Sequence, residues 1–148
     1  MLLIVFVSGF RYEVGYDYIN YKWFFDAEDQ IFLLEPLFLL SIPILRLMTS
    51  DSQILFFSYS LCTVAIVYFA IKNYTTHVGT SLLIYLLIPG LFLNSFSIVR
   101  SAIAISISFY SLKYIVARRD LRKFICLSLI AAMFHFTAII PMMLNLCF

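Results

Sequence analysis

Charge is what this sequence has least of. Of 148 residues, 10 are Lys or Arg and 8 are Asp or Glu, 12% together, against about a quarter in a soluble domain. With 64% hydrophobic residues and a mean hydropathy of +1.01, the chain cannot cover an aqueous surface with polar groups. It reads as an all-α, polytopic helical membrane protein, and a soluble enzyme is excluded. A net charge of +2 is too small and scattered for nucleic acid to be a partner. The basic residues are instead topology signals. Cysteine and histidine are scarce too. Cys62, Cys126 and Cys147 lie in apolar runs without CxxC spacing or a neighbouring His. That argues against a disulfide framework and leaves no metal or cofactor constellation, so none is expected. Repeats and low-complexity linkers are missing as well, and residues 1–148 are expected to form a single membrane-embedded unit.

What is present is apolar sequence in long pieces. Four spans can be drawn: Ser52 to Ile71, Val78 to Ser97 with a kink expected at Pro89-Gly90, Ser101 to Ala117, and Phe124 to Asn145. "MLLIVFVSG" at the N-terminus is too short to span. It and the apolar C-terminus suggest a fragment of a longer protein. The stretch "ARRDLRK" carries Arg118, Arg119, Arg122 and Lys123 and is the clearest cytoplasmic loop. Walking outward from it puts Lys72 and His77 in the cytoplasm, and Arg100 with Thr49 to Asp51 outside. Ile31 to Met48 is ambiguous, since it holds Glu35, Pro36, Pro43 and Arg46. We read it as one broken interfacial or re-entrant helix. Charge counting favours the crossing alternative, in which the tyrosine-rich loop is cytoplasmic.

Polar residues in such a chain are either anchors or site residues. Arg100 opens a helix whose Ser101, Ala104, Ser108 and Ser111 make a small-residue face. It is either a snorkelling arginine or one aimed at a helix crevice, where a guanidinium suits bidentate contact with phosphate or carboxylate. His135 continues a stripe of Ser128, Ala131, Ala132 and Ala138, placed near mid-membrane. Its alternatives are a packing residue hydrogen-bonded across helices, or a group for substrate hydrogen bonding or proton transfer. Glu35 before Pro36 could be a plain helix-start carboxylate, Asp17 an N-cap, and Tyr12, Tyr16, Trp23 and Phe24 an interfacial belt. Under the preferred topology, however, Arg11, Asp17, Glu35 and Arg100 share one side of the membrane.

The order "FRYEVGYDYINY", "EPLF", "NSFSIVRSAIA", a basic turn and "AAMFHFTAII" resembles the EpsG-type and Wzy-type polysaccharide polymerases. The matching positions are Phe10, Arg11, Gly15, Asp17, Tyr18, Tyr21, Glu35, Pro36, Arg100, Ala104, Phe134, His135 and Ala138. The likeness runs from about Phe10 to Pro141, and since members of the family are longer, it implies that this chain is an N-terminal-half fragment of such a polymerase. It departs from the family pattern at Ser101, where glutamine is usual, and at Phe136-Thr137, where serine is common. The resemblance implies a multi-pass protein of the bacterial inner membrane that joins oligosaccharide units carried on undecaprenyl diphosphate. O-antigen, capsule or exopolysaccharide would be the product, and the bilayer and other polysaccharide assembly proteins would be partners. It further implies that Arg100, with Arg11, would stabilise the departing diphosphate. Asp17 or Glu35 would be the base, and Tyr18 and Tyr21 would meet sugars. The alternatives are a transporter or flippase of lipid-linked sugars, or an inactive remnant of a polymerase.

Overall fold

The longest charge-free stretch builds the longest helix. In the computed structural model, which describes residues 2–26, 35–116 and 120–147, Gln53–Tyr74 forms an unbroken helix of 22 residues. At 1.5 Å per residue it is roughly 33 Å long, enough for a hydrocarbon core of about 30 Å. The elements are α1 (Leu2–Gly9), α2 (Tyr18–Asp26), α3 (Pro36–Arg46), α4 (Gln53–Tyr74), α5 (Val78–Leu87), α6 (Asn94–Ser97), α7 (Val99–Ser111), α8 (Lys113–Val116), α9 (Leu121–Phe134), a 3-10 turn (Phe136–Ala138) and α10 (Ile139–Cys147). Among the described residues the fold is all-helical.

Of the four segments drawn from hydropathy, two are long and apolar enough to cross: Gln53–Tyr74, and Val99–Val116, which joins α7 to α8. The other two are broken, the first directly ahead of a proline and the second a short way before one. The expected kink at Pro89 is an interruption: α5 stops at Leu87, Ile88 turns extended ahead of the proline, and α6 starts anew at Asn94. The Phe124 to Asn145 segment is also two helices. Pro141 has no N–H to give and is tolerated in the first turn of a helix, where it sits in α10. His135 is therefore not in the middle of a helix. It is the extended residue (φ −159°, ψ 121°) that ends α9. In the ambiguous segment, α3 has 11 residues with Pro43 inside it, roughly 16 Å, too short to cross alone. Positions 31–34 of that segment lie outside the described residues, as do Arg118 and Arg119 of the basic loop.

α4 and α7 lie side by side and parallel. At one end Tyr21 touches both Phe56 of α4 and Arg100 of α7. At the other end the Tyr74 hydroxyl donates to the Phe109 carbonyl at 3.0 Å. α9 packs on α7 through the two small-residue stripes. Ala104 and Ser111 of α7 and Ser128, Ala131 and Ala132 of α9 are all buried, which lets the backbones approach closely. A cluster of rings from α2, α3 and α4 fills the space at the Arg100 end: Tyr18, Tyr21, Phe25, Phe38, Phe56 and Tyr59. Arg46, costly in an apolar helix, has a local use. Its Nε donates to the Phe25 carbonyl at 2.6 Å, so a cation closes the C-terminus of α2.

Candidate functional site

Three ionisable side chains that are far apart in the sequence meet at one end of the bundle. Glu35 directly precedes α3, where its extended backbone (φ −64°, ψ 141°) is what Pro36 imposes. Arg100 lies in the first turn of α7, and His135 at the end of α9. One Glu35 carboxylate oxygen pairs with Arg100 Nη1, and the other is 2.6 Å from His135 Nδ1. The carboxylate is buried, so an unpaired charge there would be costly, and the Arg100 guanidinium with a hydrogen bond to the His135 ring offsets that cost. Burial raises the Glu35 carboxyl. Hydrogen bonds from its own backbone amide and from His135, with the charge of Arg100, outweigh it and hold the carboxyl below its ordinary range.

Arg100 is braced by aromatic rings. Its backbone N–H and Nε each lie 3.5 Å from the Tyr21 hydroxyl. Its guanidinium carbon lies 5.7 Å from the Tyr21 ring centroid and 5.3 Å from that of Phe38. A cation in the first turn of a helix faces the positive end of the dipole, and Glu35 relieves that conflict. Beside this cluster a groove of about 300 Å³ opens between α7 and α9–α10, lined by Ser101, Ala104, Ser128, Thr137 and Ala138 among others.

The remaining expected residues are placed differently. Arg11 does not join the cluster. It is 6% exposed, held between the rings of Phe56 (5.1 Å) and Phe96 (4.9 Å), and its Nε and Nη2 have no hydrogen-bond partner. Burial, resisted by nearby Tyr21 and Tyr18, lowers its pKa to about 10. Asp17 stands just before α2, but its carboxylate accepts from the Asn20 side chain at 3.4 Å and has no partner in the ion cluster. Tyr18 and Tyr21 present no open ring face. Tyr18 is buried, stacked on Phe56 at 4.5 Å, and donates to Gln53 Oε1 at 3.3 Å. Tyr21 is buried beneath Arg100. The resemblance implies that these two tyrosines meet sugars, but α2 turns both rings inward against α4.

Sequence reasoning missed Gln53, and it named Gly15 as a motif position without saying what the glycine does. Gln53 Nε2 donates to the carbonyls of Gly9 (2.7 Å) and Arg11 (2.9 Å), tying the tyrosine-rich loop to the start of α4. Gly15 has φ +108°, and a Cβ there would strike the Phe96 carbonyl oxygen. A glycine in a motif is the signal for such a close approach. Among the described residues no three His, Cys, Asp or Glu side chains converge as a metal site would need.

Chemically, Glu35 is committed to its two partners. If it accepts from His135 Nδ1–H, the imidazole presents Nε2 as a free lone pair, the arrangement in which a carboxylate orients a histidine base. The cluster therefore offers an oriented base beside a guanidinium. In comparisons with known proteins, the profile of the EpsG family matches residues 1–148. No curated protein matches significantly, and neither does any solved structure.

Proposed function

The chain belongs to the EpsG family, a membrane family of polysaccharide biosynthesis, and from that footing we propose that it polymerises oligosaccharide units carried on undecaprenyl diphosphate. In this reading a sugar hydroxyl of one lipid-linked unit attacks the anomeric carbon of another unit or chain. The new C–O bond forms as the bond from that carbon to the diphosphate oxygen breaks, and the lipid diphosphate leaves. The leaving group gathers negative charge, and Arg100 is the cation placed to meet it. His135 Nε2 takes the proton of the attacking hydroxyl. Glu35 is then a positioning residue that holds both, a different part from the base that the resemblance implies for it. Asp17 and Arg11 shape the loop beside them.

The observation that carries this reading is the Glu35 bridge between Arg100 and His135, because it gathers acid–base and anion-binding groups at one helix end. Lys72, Lys113 and Arg122 lie at the opposite end of α4 and α7. By the excess of Lys and Arg on cytoplasmic loops, the Arg100 end faces outward in a multi-pass protein of the bacterial inner membrane. The lipid-linked glycan and other assembly proteins are the proposed partners.

Arg100→Ala and Arg100→Lys, introduced into the gene in its own cell, test the proposal. The expected outcome is loss of long polymer by at least a hundredfold, with single-unit glycan still displayed. Unchanged long-chain polymer sinks it. Loss of the single unit from the surface as well favours transport of the lipid-linked sugar over its polymerisation.

A further inference from the structure

The other side of α2 walls a second depression that shares no residue with the ion cluster. It is a cleft of about 480 Å³ between the loop ahead of α2, α2 itself and the turn into α4, within the usual size of small-molecule sites. Phe10, Tyr12, Lys22, Asp26, Asp51 and Gln53 set its chemistry. Tyr12 is 70% exposed and Phe10 57%, with Tyr18 edge-on behind Tyr12 at 6.1 Å. Gln53 is fully engaged by the two loop carbonyls and the Tyr18 hydroxyl, so the floor is fixed. The charged groups are less committed. Asp51 uses Oδ1 to accept from the Gln53 N–H at 2.9 Å. No ion pair or hydrogen bond joins Asp26 or Lys22 side chains to a described residue.

We propose that this cleft binds a saccharide. Resting on the polysaccharide reading above, the assignment adds where a sugar is gripped away from the reacting bond. A purely aliphatic ligand would desolvate two carboxylates and an ammonium without pairing them. An anion would meet two carboxylates against one lysine. A sugar ring has an apolar C–H face for Tyr12 and Phe10, and vicinal hydroxyls that donate to Asp26 and Asp51 in charge-assisted bonds. Lys22 donates to a ring or hydroxyl oxygen. The wall between this cleft and Arg100 is two contacts thick: Tyr18 on Phe56 at 4.5 Å and Phe56 against Tyr21 at 6.3 Å. A chain gripped at one side of α2 therefore lies close to the chemistry at the other.

Trp23, the only tryptophan of the chain, lies on α2 beside Lys22 and is a built-in reporter. The purified full chain, in nanodiscs, is titrated to millimolar with cellohexaose, chitohexaose and isomaltohexaose, reading Trp23 emission and heat of binding. At least one probe is expected to bind saturably. Tyr12→Ala and Asp26→Asn, both at exposed positions, are expected to weaken that binding at least tenfold with circular dichroism unchanged. Tyr16→Ala, exposed but outside the cleft, is expected to leave it intact. No saturable binding of any probe overturns the assignment, as does equal binding by Tyr12→Ala and Asp26→Asn. The polymer assay on Arg100→Ala fails independently: intact polymer there with saccharide binding here removes the polymerase reading and keeps the cleft.

Discussion

Glu35 holds two other polar side chains in place. Its side chain is almost wholly buried, while those of Arg100 and His135 are 21% and 26% exposed, so the carboxylate is the group with least recourse to water. Replacing it by the isosteric amide keeps the shape and removes the counter-charge. Glu35→Gln is expected to cost about 3 kcal/mol, seen as a lower unfolding midpoint in detergent. An unchanged midpoint would mean the three residues are held by packing alone. The carboxyl is held below its ordinary range in the folded chain. Its contribution is therefore complete above the ordinary carboxylate value of about 4.3 and is lost as pH falls through the lowered folded value. The native chain should lose more stability than Glu35→Gln on acidification from pH 6 to pH 3. Equal losses would contradict this. Arg11 is the opposite case, a buried cation stabilised by two ring faces and, among the described residues, by no carboxylate.

Among the elements, the tyrosine-rich loop and α6 depend most on backbone detail. Gly15 is pressed against the Phe96 carbonyl, and the next residue, Tyr16, donates its N–H to Ser97 Oγ at 3.4 Å. Gly15→Ala is expected to destabilise by about 1–3 kcal/mol, from the left-handed φ and the steric clash together. Gly79, in α5, has open space where a Cβ would go. Gly79→Ala is expected to leave stability unchanged or raise it by up to about 1 kcal/mol. Unfolding midpoints of the pair check both, and a loss at Gly79 equal to that at Gly15 would contradict the account. Helix type was legible from hydropathy at this scale, but helix continuity was not. The runs around Pro89 and Pro141 are apolar throughout, and a hydropathy sum does not register a missing N–H. Pro141 four residues after Thr137 was the readable sign of a new helix start, since a proline three residues into a helix removes no intrahelical bond.

For the whole molecule, the parallel packing of α4 and α7 separates the charges into two ends. Arg11, Asp17, Glu35, Asp51 and Arg100 lie at one, and Lys72, Lys113 and Arg122 at the other. This division predicts sidedness. In a chain lacking Cys62, Cys126 and Cys147, Tyr16→Cys and Arg122→Cys each offer a single exposed thiol. In intact cells with a permeabilised outer membrane, an impermeant thiol reagent is expected to label Tyr16→Cys, and Arg122→Cys only after lysis. Labelling of both in intact cells would mean that the two ends do not lie across a bilayer. The reverse pattern would invert the orientation and place the Arg100 cluster in the cytoplasm.

Composition by itself determined that this protein is helical and built for a membrane, because an apolar chain without polar cover must satisfy its backbone internally and its surface with lipid. It also marked Arg100, Glu35 and His135 as expensive residues, each conspicuous in apolar surroundings. What joined them was decided only in three dimensions. Glu35 meets Arg100 across 65 residues and His135 across 100. Coulomb attraction and hydrogen bonding act through space over a few ångströms, so no spacing along the chain announces the pair. The same holds for Tyr21, whose polar tip and apolar ring suited a sugar or a core equally, until the packing of α2 on α4 turned it beneath Arg100.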